Sequence, residues 1–348
     1  MKRFVKRIHR SVLFSVALLG FVGSCLGVEG AGGSESEPVS ATTSALTPCV
    51  SGKCTFGPGT LIIPLDTTSN NDFALRAYGL VYQLLRNGVP VQWAIRHDKK
   101  PSTGLPSDDT TDFAIPDLDA TDPTATVLDL GNNVAVSLPS KYHGGPFIID
   151  ATNSATARPI IDKWLTDNPN PVTVVHRVTG TFKADIAKTL TVAPRIAVLD
   201  DGKQQLAFDI FKEAGIQDSK NQDWTDASPD VLSQDAIANP TTTQPDRGLF
   251  DASGTSKYCH LTSMHYDDTD SATTTKVVQQ VRLWLTKRPG NHAFMQCLAI
   301  ATFENNDMYG HFLTPKGVTV NDLLQGFHPA PGTLTNHSPA GSLTQVDG

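Results

Sequence analysis

The chain has 348 residues, with 28 basic and 35 acidic side chains and a net charge of −7 at pH 7. Because the chain is acidic and its body carries no basic cluster, the composition argues against nucleic acid and anionic lipid surfaces as partners. About 300 residues follow the N-terminal region, enough for one large α/β domain or two smaller ones.

The N-terminus has the pattern of a secretory signal. Five basic side chains precede an apolar run from Val12 to Val22: Lys2, Arg3, Lys6, Arg7 and Arg10. The run is too short to cross a bilayer comfortably as a permanent helix. It ends in Val22-Gly23-Ser24-Cys25, which resembles the bacterial lipobox. The resemblance implies that residues 1–24 are a lipoprotein signal peptide and that Cys25 accepts the lipid. Ordinary secretion with an incidental cysteine is the alternative.

Residues 25–48 are interpreted as a flexible tether. They are rich in Gly, Ser, Thr, Ala and Glu and have no apolar periodicity, so they cannot bury a core. Leu26, not aspartate, follows Cys25, so the usual inner-membrane retention signal of Gram-negative lipoproteins is absent. We therefore expect an exported chain, lipid-anchored to the cell envelope and facing the periplasm or the surface. The outer membrane is the favoured destination.

The cysteines predict disulfide chemistry in an oxidising compartment. With Cys25 lipidated, four remain, which is an even number. Cys49 and Cys54 flank a turn-like Val-Ser-Gly-Lys stretch, which favours a small disulfide loop. Cys259 and Cys297 either bridge to each other or remain buried thiols. Zinc is not expected at the first pair because no second pair stands at ligand spacing.

The first half of the body, residues 49–192, reads as an α/β unit. The apolar runs 61–65, 89–95, 146–150 and 172–178 predict strands, and helical spacing predicts helices over 73–84, from 153 or 154 onward, and over 182–190. The first strand, helix and strand form a β-α-β pattern, which favours a parallel pair. Residues 97–145 form an irregular, acidic insert with one strand around 134–138.

The second half, residues 193–327, repeats this order of elements. Strands are predicted at 195–199, 230–232, 258–266 and 292–300, with helices around 206–214 and 277–285. The predicted fold class is α/β, as two flavodoxin-like parallel-sheet units or one wide sheet. Residues 328–348 are expected to form an irregular tail.

Residues 195–306 resemble the class I glutamine-amidotransferase-like superfamily, including its trehalose-utilisation-type members. Three stretches carry the resemblance: 195–216, 229–232 and 284–304. In catalytic members a cysteine stands on a tight strand-to-helix turn and is activated by a histidine, which implies Cys297 as the nucleophile. His311, His328 or His265 could be the activating histidine, and Glu304 could orient it. The stretch 295–299 contains no glycine, so its residues predict that the strained turn is not formed. A buried core thiol or disulfide half is the alternative role of Cys297.

Two further clusters are candidate ligand sites. His265 and Asp267 share one side of a predicted strand and are candidate metal ligands, although solvated strand-end residues explain them equally. Asp66, Asp200 and Asp201 follow the leading strands of the two halves, where open α/β sheets bind ligands and where aspartates also cap helices. The acidic insert over residues 97–145 has two interpretations: a calcium-binding loop, or an exposed acidic loop that binds no ligand.

The function favoured by the sequence is a non-catalytic, ligand- or partner-binding lipoprotein of the envelope. No Walker loop, dinucleotide fingerprint, Gly-x-Ser-x-Gly or His-Glu-x-x-His motif occurs, and no cofactor is predicted. Its expected partners are the membrane, through the acyl chains, and a small molecule or envelope protein. The alternative is a cysteine-dependent hydrolase or amidase that uses Cys297.

Overall fold

A computed structural model of the chain describes residues 53–65, 74–99, 110–116, 122, 124–169, 172–240, 248–267, 271–287, 290–314 and 317–318. The predicted α/β class is confirmed, and the chain divides into two compact units between Ala193 and Pro194. The predicted signal peptide and tether, with Cys25, lie outside the described residues, as do Cys49, Asp66 and the tail after 318. Within the described ranges, no helix combines the length and apolar character needed to cross a membrane.

The first unit is built around an antiparallel sheet. Its elements are β1 Lys53–Phe56, β2 Leu61–Ile63, α1 Ala74–Arg86, β3 Val91–Ala94, β4 Phe113–Ile115, β5 Val127–Asp129, β6 Val134–Ala135, β7 Ser140–Tyr142, β8 Phe147–Ile149, α2 Ala151–Asp167, β9 His176–Val178 and β10 Phe182–Leu190. Eight strands are hydrogen-bonded in the order β1-β10-β3-β8-β2-β9-β5-β6, and β4 pairs with β7.

The parallel sheet predicted for this unit is wrong. Strands β2 and β3 run in the same direction, as the helical connection between them requires, but β8 lies between them and is antiparallel to both. Every neighbouring pair in this sheet is antiparallel. The apolar pattern marks each strand as buried, yet it does not specify which distant strand will pair beside it, so the inserted strand was not foreseen.

The helix predicted over 182–190 is instead the nine-residue strand β10. Its prediction rested on apolar residues four positions apart, such as Phe182 and Ile186. A spacing of four keeps two side chains on the same face of a strand as well as of a helix, because it is a multiple of the strand period of two. Pairing with β1 on one side and β3 on the other stabilises the extended form.

Both faces of the antiparallel sheet are covered. Leu61 and Ile63 pack against the helices α1 and α2, whereas Ile62, between them, joins the aromatic cluster on the opposite face. Helix α1, predicted from the helical spacing of apolar residues over 73–84, buries those of them that the structure describes: Ala77, Leu80, Val81 and Leu84. Alternation with a period of two therefore divides β2 between two cores.

The second unit is built around a parallel sheet, as predicted for it. Its elements are β11 Ile196–Asp200, α3 Gln205–Ala214, β12 Val231–Ser233, α4 Gln234–Ala238, β13 His260–Ser263, α5 Ala272–Lys287, β14 His292–Met295 and α6 Leu298–Asn305. The strand order is β12-β11-β13-β14, and all three pairings are parallel. The four residues 196–199 are all buried, as expected for a parallel strand covered on both faces.

The single strand predicted over 292–300 is two elements joined by a tight turn. Strand β14 ends at Met295, and helix α6 begins at Leu298. Strand β14 is held by its pairing with β13, while Ala299 and Phe303 of α6 are buried in the core beside α5. Only Gln296 and Cys297 are left to reverse the chain between two fixed elements.

Candidate functional site

The carboxyl edge of the parallel sheet gathers most of the predicted site residues that the structure describes. Counted within this unit the strand order is 2-1-3-4, so the chain changes direction across the sheet between β11 and β13. Ligands of open α/β sheets bind in the crevice at such a point. Asp201 follows β11 there, His265 follows β13, and Cys297 follows β14.

Asp201 connects the end of β11 to the end of β13. Its Oδ2 accepts hydrogen bonds from Ser263 Oγ at 3.0 Å and from the backbone N–H groups of Met264 and His265 at 2.6 and 2.8 Å. Its Oδ1 accepts from the N–H of Lys203 at 2.9 Å. The carboxylate therefore positions the backbone that carries His265. Asp200, next to it, is exposed.

Cys297 occupies a strained strand-to-helix turn, which corrects the prediction that this turn is not formed. Its backbone has φ 55° and ψ −129°, a conformation rarely adopted by residues other than glycine. The N–H of Gln296 donates to the carbonyl of Ser263, and the N–H of Ile300 donates to the carbonyl of Cys297. The fixed strand and helix impose the turn that the local sequence does not favour.

The thiol of Cys297 is free and exposed. The bridge to Cys259 and the buried thiol, both left open by the sequence, are therefore not found; Cys259 is buried and disulfide-bonded. Cys54 is also buried and disulfide-bonded, whereas its predicted partner Cys49 lies outside the described residues.

The position of Cys297 suits a nucleophile. It is the residue before helix α6, whose first N–H groups point toward the chain that enters the helix and favour negative charge there. The N–H of Leu298, the next residue, is the group that stabilises the developing oxyanion in comparable turns.

His265 is the described histidine that follows the strand beside β14. Ser263 is paired with Met295 at the ends of β13 and β14, and His265 and Cys297 each come two residues after these ends. His265 is half-buried, and its backbone is held by Asp201. Among the described residues, Sγ of Cys297 makes no hydrogen bond.

The other predicted catalytic residues have structural contacts. Glu304 is 3% exposed, and its two carboxylate oxygens accept from the backbone N–H groups of Leu313 and Thr314 at 2.8 and 3.0 Å. His311 is exposed with φ 61°, and its N–H donates to the carbonyl of Glu304. Glu304 therefore anchors the segment after α6, and its carboxylate is not directed at a histidine ring in the described contacts.

Among the described residues, His265 and Asp267, the predicted metal ligands, do not belong to a group of three potential ligand atoms. In the parts of the chain that the structure describes, three potential ligand atoms come within 4.8 Å of one another at His97, Asp98 and Asp185 instead. Of the acidic insert, Asp112 is buried and binds Lys99, and Asp122 binds Thr124. The hydrogen bond from the Thr124 side chain is the largest of several that lower the pKa of Asp122. Both acids thus have protein partners.

A stacked histidine pair at the amino ends of β13 and β14, with His260 buried and His292 partly buried, was not foreseen. The register pairs His260 with His292, their rings are stacked, and their Nδ1 atoms are 3.1 Å apart. Burial lowers the pKa of both histidines, and the charge of His292 lowers that of His260 further. Each histidine opens a predicted strand, but the sequence alone does not show that these strands are neighbours.

Comparison with known proteins assigns no family to the chain. No family model matches it, and neither the curated proteins nor the solved structures contain a significant match.

Proposed function

We propose that this chain is an envelope-anchored lipoprotein whose second unit is a cysteine-dependent hydrolase of the amidase type, with Cys297 as the nucleophile. The observation that carries the proposal is the backbone of Cys297, at φ 55° and ψ −129°, beneath a free and exposed thiol. Such a conformation costs about 1–3 kcal/mol in a residue other than glycine, and residues of this kind cluster at active sites.

The arrangement around the turn supports the same reaction class. The strand order 2-1-3-4 is that of the first four strands of a flavodoxin-like sheet. The stretch 284–304, on which the resemblance to the class I glutamine-amidotransferase-like superfamily depends, covers the end of α5, all of β14 and nearly all of α6. Catalytic members of that superfamily carry their cysteine on this kind of turn.

The reaction proposed for Cys297 is acyl transfer. The thiolate attacks the carbonyl carbon of an amide, the negative charge collects on the carbonyl oxygen near the N–H of Leu298, and the carbon–nitrogen bond breaks as the amine takes a proton. Water then hydrolyses the thioester, which releases the carboxylic acid and restores the thiol. His265 is the proposed proton carrier, and Asp201 is a positioning residue for it.

A non-catalytic binding protein is the second candidate. Two observations favour it. Among the described residues, no group forms a hydrogen bond with Sγ of Cys297. Both carboxylate oxygens of Asp201 already accept hydrogen bonds from protein N–H and O–H groups. In that case the carboxyl edge binds a small molecule or an envelope protein, and Cys297 does no chemistry. The rate at which Cys297 is alkylated distinguishes the hydrolase from the binding protein.

We expect chloroacetamide to alkylate Cys297 at neutral pH at least about tenfold faster in the folded chain than in the urea-unfolded chain, with the disulfides intact. The fold activates the thiol, so unfolding removes the gain. Intact-mass spectrometry followed by peptide mapping measures both rates. We expect His265→Asn to lower the folded rate toward the unfolded one, whereas His311→Asn retains it.

Equal rates in the folded and unfolded chains would exclude the nucleophile and favour the binding protein. Two substitutions at Cys297 provide a check on the strained turn. Neither Cys297→Ala nor Cys297→Gly can form the acetamide adduct. Cys297→Ala keeps the backbone strain at this position. Cys297→Gly is expected to be about 1 kcal/mol more stable, because glycine adopts positive φ without a Cβ clash. Urea titration of the two variants measures the difference.

The lipid anchor has its own test. In a bacterial host, we expect the full chain to incorporate an alkyne-labelled fatty acid and to sediment with membranes, while Cys25→Ala loses both properties. Cys297→Ala is the matched control and retains the label. Label that persists in Cys25→Ala would contradict attachment at Cys25 and leave ordinary secretion as the explanation of the N-terminal signal.

A further inference from the structure

We infer that the first unit contains a binding site for one divalent transition-metal ion, with His97, Asp98 and Asp185 as ligands. This site is independent of the chemistry proposed for Cys297. One ligand atom from each residue lies within 4.8 Å of the others, and His97 Nδ1 is 3.1 Å from Asp185 Oδ2. Adjacent ligands on one ion at a metal–ligand distance of about 2.1 Å are about 3 Å apart.

The carboxylate of Asp185 is the observation that points to a ligand. The side chain belongs to strand β10 and is only 6% exposed. Its Oδ2 faces His97, whereas its Oδ1 is buried and has no hydrogen-bond partner among the described residues. A buried carboxylate oxygen without a partner is costly. A cation bound beside His97 would neutralise this carboxylate and satisfy the oxygen.

Asp112 anchors the loop that carries His97 and Asp98. The buried carboxylate of Asp112 accepts from the backbone N–H of Arg96 at 3.2 Å and from Lys99 Nζ at 2.8 and 2.9 Å. The two ligands between these anchor points therefore have a fixed backbone. Preorganised ligands lose less conformational entropy on binding, which raises affinity.

The ligand chemistry selects the class of metal. One imidazole nitrogen with two carboxylates suits Zn²⁺ and similar transition metals, whereas Mg²⁺ and Ca²⁺ prefer oxygen ligands alone. The side chains of His97 and Asp98 are 79% and 67% exposed, so water can complete the coordination from outside. Asp98 Oδ1 lies 2.8 Å from Arg96 Nε, and one carboxylate oxygen of Asp98 lies within 4.8 Å of the ligand atoms of His97 and Asp185.

The test uses the untagged full chain, stripped with EDTA, and titration calorimetry with ZnCl₂. A Cys297→Ala background removes the exposed thiol as a competing ligand. We expect one Zn²⁺ per chain, an affinity at least about tenfold weaker in His97→Ala and in Asp185→Asn, and no competition from excess MgCl₂. Asp162→Asn, which removes an exposed carboxylate of α2 from its pair with Arg158, is the control and keeps the full affinity.

Two outcomes would overturn the inference: no Zn²⁺ binding by the parent chain, or binding that His97→Ala leaves unchanged. The second places the ion elsewhere and leaves His97 and Asp185 as a simple hydrogen-bonded pair. His97 is exposed, so His97→Ala is expected to fold even where Asp185→Asn does not. A rise in melting temperature with Zn²⁺ that disappears in His97→Ala gives an independent readout.

Discussion

Asp201→Ala is expected to lower the free energy of unfolding of the second unit by about 3 kcal/mol and to slow the alkylation of Cys297 in the folded chain. The carboxylate accepts four hydrogen bonds, three of them from backbone N–H groups. Each hydrogen bond to a charged group contributes roughly 1.5–3 kcal/mol, and the sum is reduced because Asp201 is partly exposed and the bonds are not additive. Without this carboxylate, the backbone of Met264 and His265 loses its anchor, and His265 is the residue that we propose carries the proton for Cys297.

Urea titration measures the first effect, and intact-mass kinetics measures the second. Asp200→Ala is the matched control, since Asp200 is the neighbouring residue and its side chain is exposed. Asp201→Asn keeps an acceptor oxygen without the charge, so its stability is expected between those of the parent and Asp201→Ala. If Asp201→Ala loses stability but leaves the alkylation rate unchanged, Asp201 holds the sheet edge together without positioning the reactive groups.

The second unit is expected to lose up to about 2 kcal/mol of stability between pH 7 and pH 5.5 because of the stacked pair His260 and His292. Burial lowers the pKa of both side chains in the folded chain below the ordinary value of 6.5. The unfolded chain therefore binds more protons as the pH falls below about 6.5. Each histidine protonated only on unfolding removes up to about 1.4 kcal/mol per pH unit, and stability is fully present above that range.

Urea titrations at pH 7.5, 6.5 and 5.5 measure this dependence. His292→Phe retains a ring stacked on His260 and removes one titrating group, so we expect roughly half of the pH dependence to disappear. His311→Asn, which removes an exposed histidine and tolerates positive φ, is expected to keep the full dependence. If the free energy of unfolding does not change between pH 7.5 and pH 5.5, burial does not lower the pKa of the two histidines in the folded chain, and the prediction is wrong.

The class of fold and most of the elements followed from local pattern. Helix α1 buries the apolar stripe seen in the sequence, and β11 is the continuous apolar run expected of a covered parallel strand. Strand pairing did not follow, because β8 reaches its place between β2 and β3 through contacts distant in sequence. Residues 182–190 show the limit of periodicity, since a spacing of four satisfies both helix and strand.

For the candidate site, the residue types and their order could be predicted from the sequence: a cysteine within the last apolar run of the second unit, and aspartates after its first strand. Tertiary structure alone decided the conformation of Cys297. Its neighbours lack the glycine that favours a tight turn, but pairing of β14 and burial of α6 impose it. Tertiary structure also decided that Asp185 is buried beside His97, since 88 residues separate them and only the fold brings their side chains together.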